Sequence, residues 1–334
     1  MKRIVSTFAV LVALCLCLGA LVGCSAGDGN ASTQQDTSKL SVVCTTFPSY
    51  DWARQIIGEH TDAINLELLL DDGVDLHSYQ PTVEDIAKVG SADLLVYVGG
   101  TSDTWVTGAL QNATNPNLRT VSLMDCVGSA VREEEVVEGM QGEEDSGNEE
   151  ASADETEYDE HVWLSLRNAQ LVVEAMAAEL EATDPANAQD YAANARDYCD
   201  QLASLDTEYQ SVVDSARTHT VLFGDRFPFR YLIEDYGLTY YAAFVGCSAE
   251  TEASFDTVTF LSSKVDELGL PAVLVIENSD QKIAKTIVDN TKTKDQQILV
   301  MDSLQSTAMS DVEAGVTYLS AMKQNLQTLS KALG

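Results

Sequence analysis

From Leu40 onward, short runs of β-branched and aliphatic residues alternate with stretches whose apolar residues recur at helical spacing. The runs predict strands near residues 41–47, 63–70, 92–99 and 118–125, and a second set near 220–224, 238–244, 272–277 and 297–301. The stretches between them, among them 51–57, 82–89, 255–268 and 283–290, predict helices. Strand and helix in alternation need crossover connections. The fold class is therefore α/β, with parallel sheets flanked by helices. Four strands before the middle and four after it predict two similar lobes, 40–183 and 218–334.

Between the lobes lies the clearest helical pattern of the chain. Asp184-Pro185 offers an N-cap and a first-turn proline, and Tyr191, Ala195, Tyr198, Leu202, Leu205, Tyr209 and Val212 follow at spacings of 4 and 3 in turn. One apolar stripe predicts one helix over 184–217, about 45 Å long at ~1.5 Å per residue, enough to join two lobes along their full height. A two-stranded coiled coil is the competing arrangement. The stripe is short and rich in Ala and Tyr instead of Leu, which favours a strut within one chain and a monomer.

The first residues carry a different pattern. Met1-Lys2-Arg3 precedes an apolar run from Phe8 to Val22, shorter than the ~20 residues of a spanning helix, which predicts a signal peptide over 1–23. Leu21-Val22-Gly23-Cys24 is similar to a bacterial lipobox, with Cys24 acylated as the mature N-terminus. Acyl chains at ~0.8 kcal/mol per buried CH₂ would then anchor the protein on the outer side of the cell membrane. Residues 24–39, rich in Gly, Ser, Thr, Gln and Asp, predict a flexible tether.

Charge narrows the partners. With 53 Asp+Glu against 19 Lys+Arg the net charge is −34, which repels phosphate backbones and excludes nucleic acid as a partner. A cationic partner is the complement: a basic protein, a cationic metabolite or a metal ion. Fourteen acidic residues fall in the 28 of 133–160, a stretch with no period that predicts a solvated loop. Cys44, Cys126, Cys199 and Cys247 show no CxxC spacing, and as an even set in an oxidising compartment they allow three disulfide pairings.

Four histidines can each be placed. His60 falls in a polar turn and His219 at the N-terminal end of a strand, both structural positions. His77 and His161 each follow a strand at its C-terminal end, the edge at which open α/β sheets bind ligands. His77-Ser78-Tyr79-Gln80-Pro81 leads into a helix with Thr82 as N-cap and Asp85 three residues on. His161-Val162-Trp163-Leu164-Ser165 leads into another near Arg167.

These two motifs resemble those of the zinc/manganese-binding solute-binding lipoproteins of bacterial ABC transporters. His-x-Tyr-x-Pro is matched at His77 to Pro81 and His-Val-Trp-Leu at His161 to Leu164. The long central helix, the Glu-x-x-Ala-Ser stretch ending at Ser254 and Asp302-Ser303 extend the resemblance over the mature chain. It implies a metal-type periplasmic-binding-protein-like fold and a divalent ion, Zn²⁺ slightly favoured over Mn²⁺, carried between the lobes to an ABC permease. It implies His77 and His161 as ligands, with Asp302 as the fourth. At the third position the chain departs from the family and presents Arg226, which has donors only. Asp225, one residue away, is the expected replacement and Glu277 the reserve. An ion pair of Arg226 with Asp225 or Glu277 is the non-ligating alternative. Surface adhesion is a further activity attached to this family. A metallohydrolase is disfavoured because no His-Glu-x-x-His or Gly-x-x-x-x-Gly-Lys occurs, and no separate general base is evident beside His77 or His161.

Overall fold

The structure is a computed structural model that describes residues 39–141, 157–248 and 252–334. The signal peptide, Cys24, nearly all of the tether, the centre of the acidic run and residues 249–251 lie outside the described residues. The described residues belong to one compact unit.

The first lobe runs β1 (Leu40–Cys44), α1 (Phe47–Ile57), β2 (Ile64–Leu68), α2 (Val83–Ser91), β3 (Leu94–Tyr97), α3 (Thr104–Gln111), β4 (Arg119–Ser122), α4 (Leu123–Val127) and α5 (Leu166–Thr183). Next comes the long helix α6 (Ala188–Asp214). The second lobe runs β5 (Thr220–Phe227), α7 (Arg230–Asp235), β6 (Thr239–Val245), α8 (Phe255–Leu268), β7 (Ala272–Val275), α9 (Lys282–Asn290), β8 (Gln297–Val300), α10 (Met309–Glu313) and α11 (Tyr318–Leu333). The sheets are ordered β2-β1-β3-β4 and β6-β5-β7-β8, and every pair is parallel. Both lobes thus repeat one topology, as the alternation predicts.

The inner strands β1, β3, β5 and β7 are largely buried on both faces, and their two-residue period sorts side chains between two cores. On β7, Leu274 joins the large cluster shared by both lobes, whereas Val273 and Val275 join a smaller one with Leu261 of α8 and Ile287 of α9. Gly224 permits the approach of β5 to α9: a Cβ there would lie 2.7 Å from Ala284 Cα. β5 continues past the expected end at 224, with a register shift between Phe223 and Arg226 that keeps Asp225 and Arg226 at the sheet edge.

The long helix starts later than the sequence suggests. Asp184 is the C-cap of α5, and its carboxylate accepts from Asn187 Nδ2 at 2.7 Å and Tyr191 OH at 2.8 Å. The Asp-Pro pair therefore serves the turn between α5 and α6. The helix proper has 27 residues, about 40 Å at ~1.5 Å per residue. Tyr191, Ala195, Tyr198, Leu202, Leu205 and Tyr209 are buried as the stripe predicts, and Val213 completes it in place of Val212. Its neighbours are α1, α5 and α11. Helix α11, whose Met322 carbonyl accepts from Tyr209 OH at 2.7 Å, also packs on β5, β7 and β8 and so ties the strut to the second sheet. Cys44, Cys126, Cys199 and Cys247 are all free thiols, so none of the three pairings is formed.

Candidate metal centre

The same local device presents both histidines. In Asp75-Leu76-His77 and in Asp159-Glu160-His161, an aspartate two residues ahead accepts the histidine backbone N–H through Oδ1, at 3.0 and 2.8 Å. A side-chain acceptor at i−2 closes an Asx-type turn and fixes where the imidazole leaves the backbone. Residues Leu76–Ser78 and Val162–Leu164 are short 3₁₀ turns, and each feeds a capped helix. Thr82 and Asp85 form the capping box of α2, and Ser165 Oγ accepts from Asn168 N at 3.0 Å at the head of α5.

The turns bring the two rings together. His77 Nε2 and His161 Nε2 are 3.1 Å apart. The other nitrogen of each ring is anchored: His161 Nδ1 lies 2.9 Å from Asp159 Oδ1, and His77 Nδ1 lies 2.9 Å from Ser102 Oγ with Glu160 Oε2 at 3.7 Å. A carboxylate only accepts, so Nδ1 of His161 carries the proton, and the acidic side of His77 favours the same tautomer. At 3.1 Å one Nε2 donates to the other in the metal-free pair. With the proton of each ring on Nδ1, both Nε2 lone pairs would face one point, where a cation can replace the shared proton.

The surroundings tune the pair in opposite directions. Burial, reinforced by the charge of His161, pulls His77 down to about 4 against the opposing pull of Glu160 and Asp75. For His161 burial acts downward too, but Asp159, Glu160 and the Gln305 side chain outweigh it and leave the imidazole above its ordinary value. Glu160 is fully buried; its Oε1 accepts from Thr101 Oγ1 at 2.9 Å and Ser102 N at 2.8 Å, while its Oε2 has no hydrogen-bond partner. A Cβ at Gly100 would come within 2.2 Å of Glu160 Oε1, so only glycine fits beside it.

Asp225, Glu277 and Asp302 are not brought to the histidines. Among the described residues, the His, Cys, Asp and Glu side chains whose ligand atoms lie within 4.8 Å of one another in a group of three are His77, His161 and Cys247. Asp225 Oδ1 accepts from the neighbouring Arg226 N at 2.9 Å. Asp302 Oδ1 accepts from Leu304 N at 2.8 Å, and Glu277 accepts from Ser303 N at 2.7 Å and Ser303 Oγ at 2.6 Å. Burial, and then the charge of Asp302, push Glu277 up to about 7. Each carboxylate thus accepts from a backbone N–H, and Glu277 from a hydroxyl as well.

Arg226 pairs with neither Asp225 nor Glu277. Its Nη2 donates to Asp75 Oδ2 at 2.6 Å and its Nη1 to Ser248 O at 3.3 Å. A cavity of about 520 Å³ flanks the His77 turn, lined by Asp75 and Ser78 from the first lobe and by Asp225, Arg226, Glu277 and Asp280 from the second. The acidic run is also more than a solvated loop at its flanks. Glu133 bridges to Tyr158, Gln141 N donates to Ala243 O at 2.9 Å, and Asp159 and Glu160 are buried at the histidines. His60 and His219 stand apart: His60 Nε2 meets Asp190 Oδ2 at 2.8 Å near the surface, and the His219 carbonyl accepts from Thr239 N.

The sequence pattern of the family described as zinc-uptake complex component A, periplasmic (ZnuA), matches residues 42–332. The chain belongs to this family. It is a family of uptake-complex components, not of enzymes. The zinc-binding lipoprotein AdcA of Streptococcus pneumoniae R6 is 31% identical over 317 residues, covering 95% of this chain and 59% of that protein. The chain thus spans well under two thirds of that relative. The high-affinity zinc uptake system protein ZnuA of Bacillus subtilis is 28% identical over 323 residues, covering 97% of this chain and 96% of the relative. Among solved structures, the Zn(II)-bound ZnuA-like domain of S. pneumoniae AdcA superposes with a TM-score of 0.67 at 28% identity, over 88% of this chain and 99% of that one. The two-lobed α/β fold is that of the ZnuA-like proteins.

Proposed function

We propose that this protein captures zinc outside the cytoplasm and delivers it to the membrane permease of an ABC transporter, with His77 and His161 as the two imidazole donors. The observation that carries the reading is the pair of Nε2 atoms 3.1 Å apart with both Nδ1 atoms anchored. Tetrahedral zinc with Zn–N of about 2.0–2.1 Å places two nitrogens about 3.3 Å apart, close to the spacing already set. Nitrogen donors suit zinc better than manganese, which favours oxygen, and the zinc-binding relatives agree with that preference. An anchor at acylated Cys24 would hold a monomer beside its permease. The test is growth under zinc limitation of the bacterium that carries this chain. Deletion is expected to impair it, wild type to restore it and His161→Ala not to, with manganese-limited growth unaffected. Restoration by His161→Ala contradicts the proposal. Release of Cys24→Ser protein from the membrane tests the anchor.

A further inference from the structure

The position next to the two histidines is filled by sulfur. Cys247 Sγ lies in one group with the histidine nitrogens, all within 4.8 Å of one another. Cys247 follows β6 at the C-terminal edge of the second sheet, so it reaches the site from the lobe opposite His77 and His161. The turn is built to bring it close. A Cβ on Gly246 would lie 3.1 Å from His161 Cε1 and 3.0 Å from Phe227 O, so a bare backbone is what lets this turn lie against the imidazole. Arg226 Nη1 holds the Ser248 carbonyl while Nη2 holds Asp75, so one guanidinium secures both the cysteine turn and the His77 turn. On the other side Cys247 N donates to Glu134 Oε1 at 3.1 Å.

We propose that Cys247 is the third protein ligand of the metal, as a thiolate, giving a His₂Cys site that binds zinc and other thiophilic divalent ions and discriminates against manganese. This rests on the reading of His77 and His161 as metal donors. On binding, the S–H bond breaks, a metal–sulfur bond forms and the proton passes to solvent. A thiol bound to a divalent ion is deprotonated even where its surroundings favour the neutral form. With Zn–S of about 2.3 Å and Zn–N of about 2.0–2.1 Å, a tetrahedral ion needs sulfur about 3.6 Å from each nitrogen, so a small inward movement of the cysteine turn completes the site. Gln305 Oε1, 3.2 Å from His161 Nε2, is a neutral oxygen available to the remaining position. Arg226 stands where the family resemblance would put a ligand, and it acts instead as a positioning residue for two of them.

The test is cobalt substitution of the purified protein, read by absorption, together with zinc competition titration of wild type, Cys247→Ser and Cys247→Ala. The expected result is a thiolate-to-cobalt charge-transfer band in wild type that both variants lack, and a zinc affinity at least about 10-fold lower in both. Manganese affinity should change little. Absence of the band from cobalt-loaded wild type overturns the assignment even if the variants misfold, and so does unchanged zinc affinity in well-folded Cys247→Ser. In both cases wild type still binds metal and the proposed function stands. Wild type that binds neither zinc nor cobalt overturns the functional reading itself.

Discussion

Asp159 holds His161 at two points, accepting from its backbone N at 2.8 Å and facing its Nδ1 at 2.9 Å through the same oxygen. Asp75 performs only the first of these tasks for His77, and its other oxygen is paired with Arg226. The two histidines are therefore presented alike but supported differently. His161 is fully buried against a carboxylate, and His77 faces the Ser102 hydroxyl.

Asp159→Asn tests the first support. The amide oxygen still accepts from the backbone, but the negative charge behind the ring is lost. Loss of such a carboxylate behind a metal-binding imidazole costs about 10–100-fold in affinity. Zinc titration of the variant is expected to show a loss in that range with the circular dichroism spectrum unchanged. Wild-type affinity would mean that Asp159 only shapes the turn.

Arg226→Ala tests the tie between the lobes. The Arg226–Asp75 pair is about one-fifth exposed on each side, so its loss is discounted for solvent. Hydrogen bonds to charged groups contribute about 1.5–3 kcal/mol each, and a loss of about 1–2 kcal/mol of stability is expected on chemical denaturation. Zinc affinity should fall as well, because Asp75 and the Ser248 turn lose a common partner. Arg226→Lys, with a single ammonium, should recover stability only in part. Full stability in Arg226→Ala would remove the tie.

Asp103, the residue after the Ser102 that anchors His77, predicts a pH effect on stability. Its Oδ2 accepts from Val98 N at 2.6 Å and Gly99 N at 3.2 Å, yet burial outweighs these bonds and pushes the carboxyl up to about 6 from 3.8. The folded state then holds the proton more tightly than the unfolded chain. The stabilisation is complete below about pH 4 and is lost as pH rises through about 6, by up to about 3 kcal/mol at ~1.36 kcal/mol per unit. Asp103→Asn cannot ionise. The difference in unfolding free energy between variant and wild type should therefore move in favour of the variant from pH 4 to 7. A difference independent of pH would contradict the assignment.

The frame was readable because strand and helix periods are strong signals. Among the described residues all eight strands overlap the runs that alternation marks, with β5 running on to Phe227, and the 4-3 stripe is the buried face of α6 from Tyr191 to Tyr209. The start of α6 was misplaced because Asp184-Pro185 has the chemistry of an N-cap, while the fold uses Asp184 to close the preceding helix. His77 and His161 stood out by their motifs. Asp159 and Glu160 were hidden in a run of acidic residues whose composition suggested solvent, although the repeated Asp-x-His spacing was present as a cue. Cys247 looked like one of four disulfide candidates, and only the meeting of β6 with the first lobe places it at the imidazoles. Asp225 and Asp302 have ligand chemistry at strand ends, but nothing in the sequence discloses that nearby backbone N–H groups already hold them.

The most direct test of zinc capture by the histidine pair is competition titration of the metal-stripped protein with a chromophoric zinc chelator, comparing wild type with His161→Ala. Removing an imidazole donor should cost at least what removal of its support costs, so a loss of about 100-fold or more is expected. Stoichiometric, tight zinc binding by wild type with that loss in the variant is the predicted result. Equal affinity in the two proteins would contradict the account at its centre.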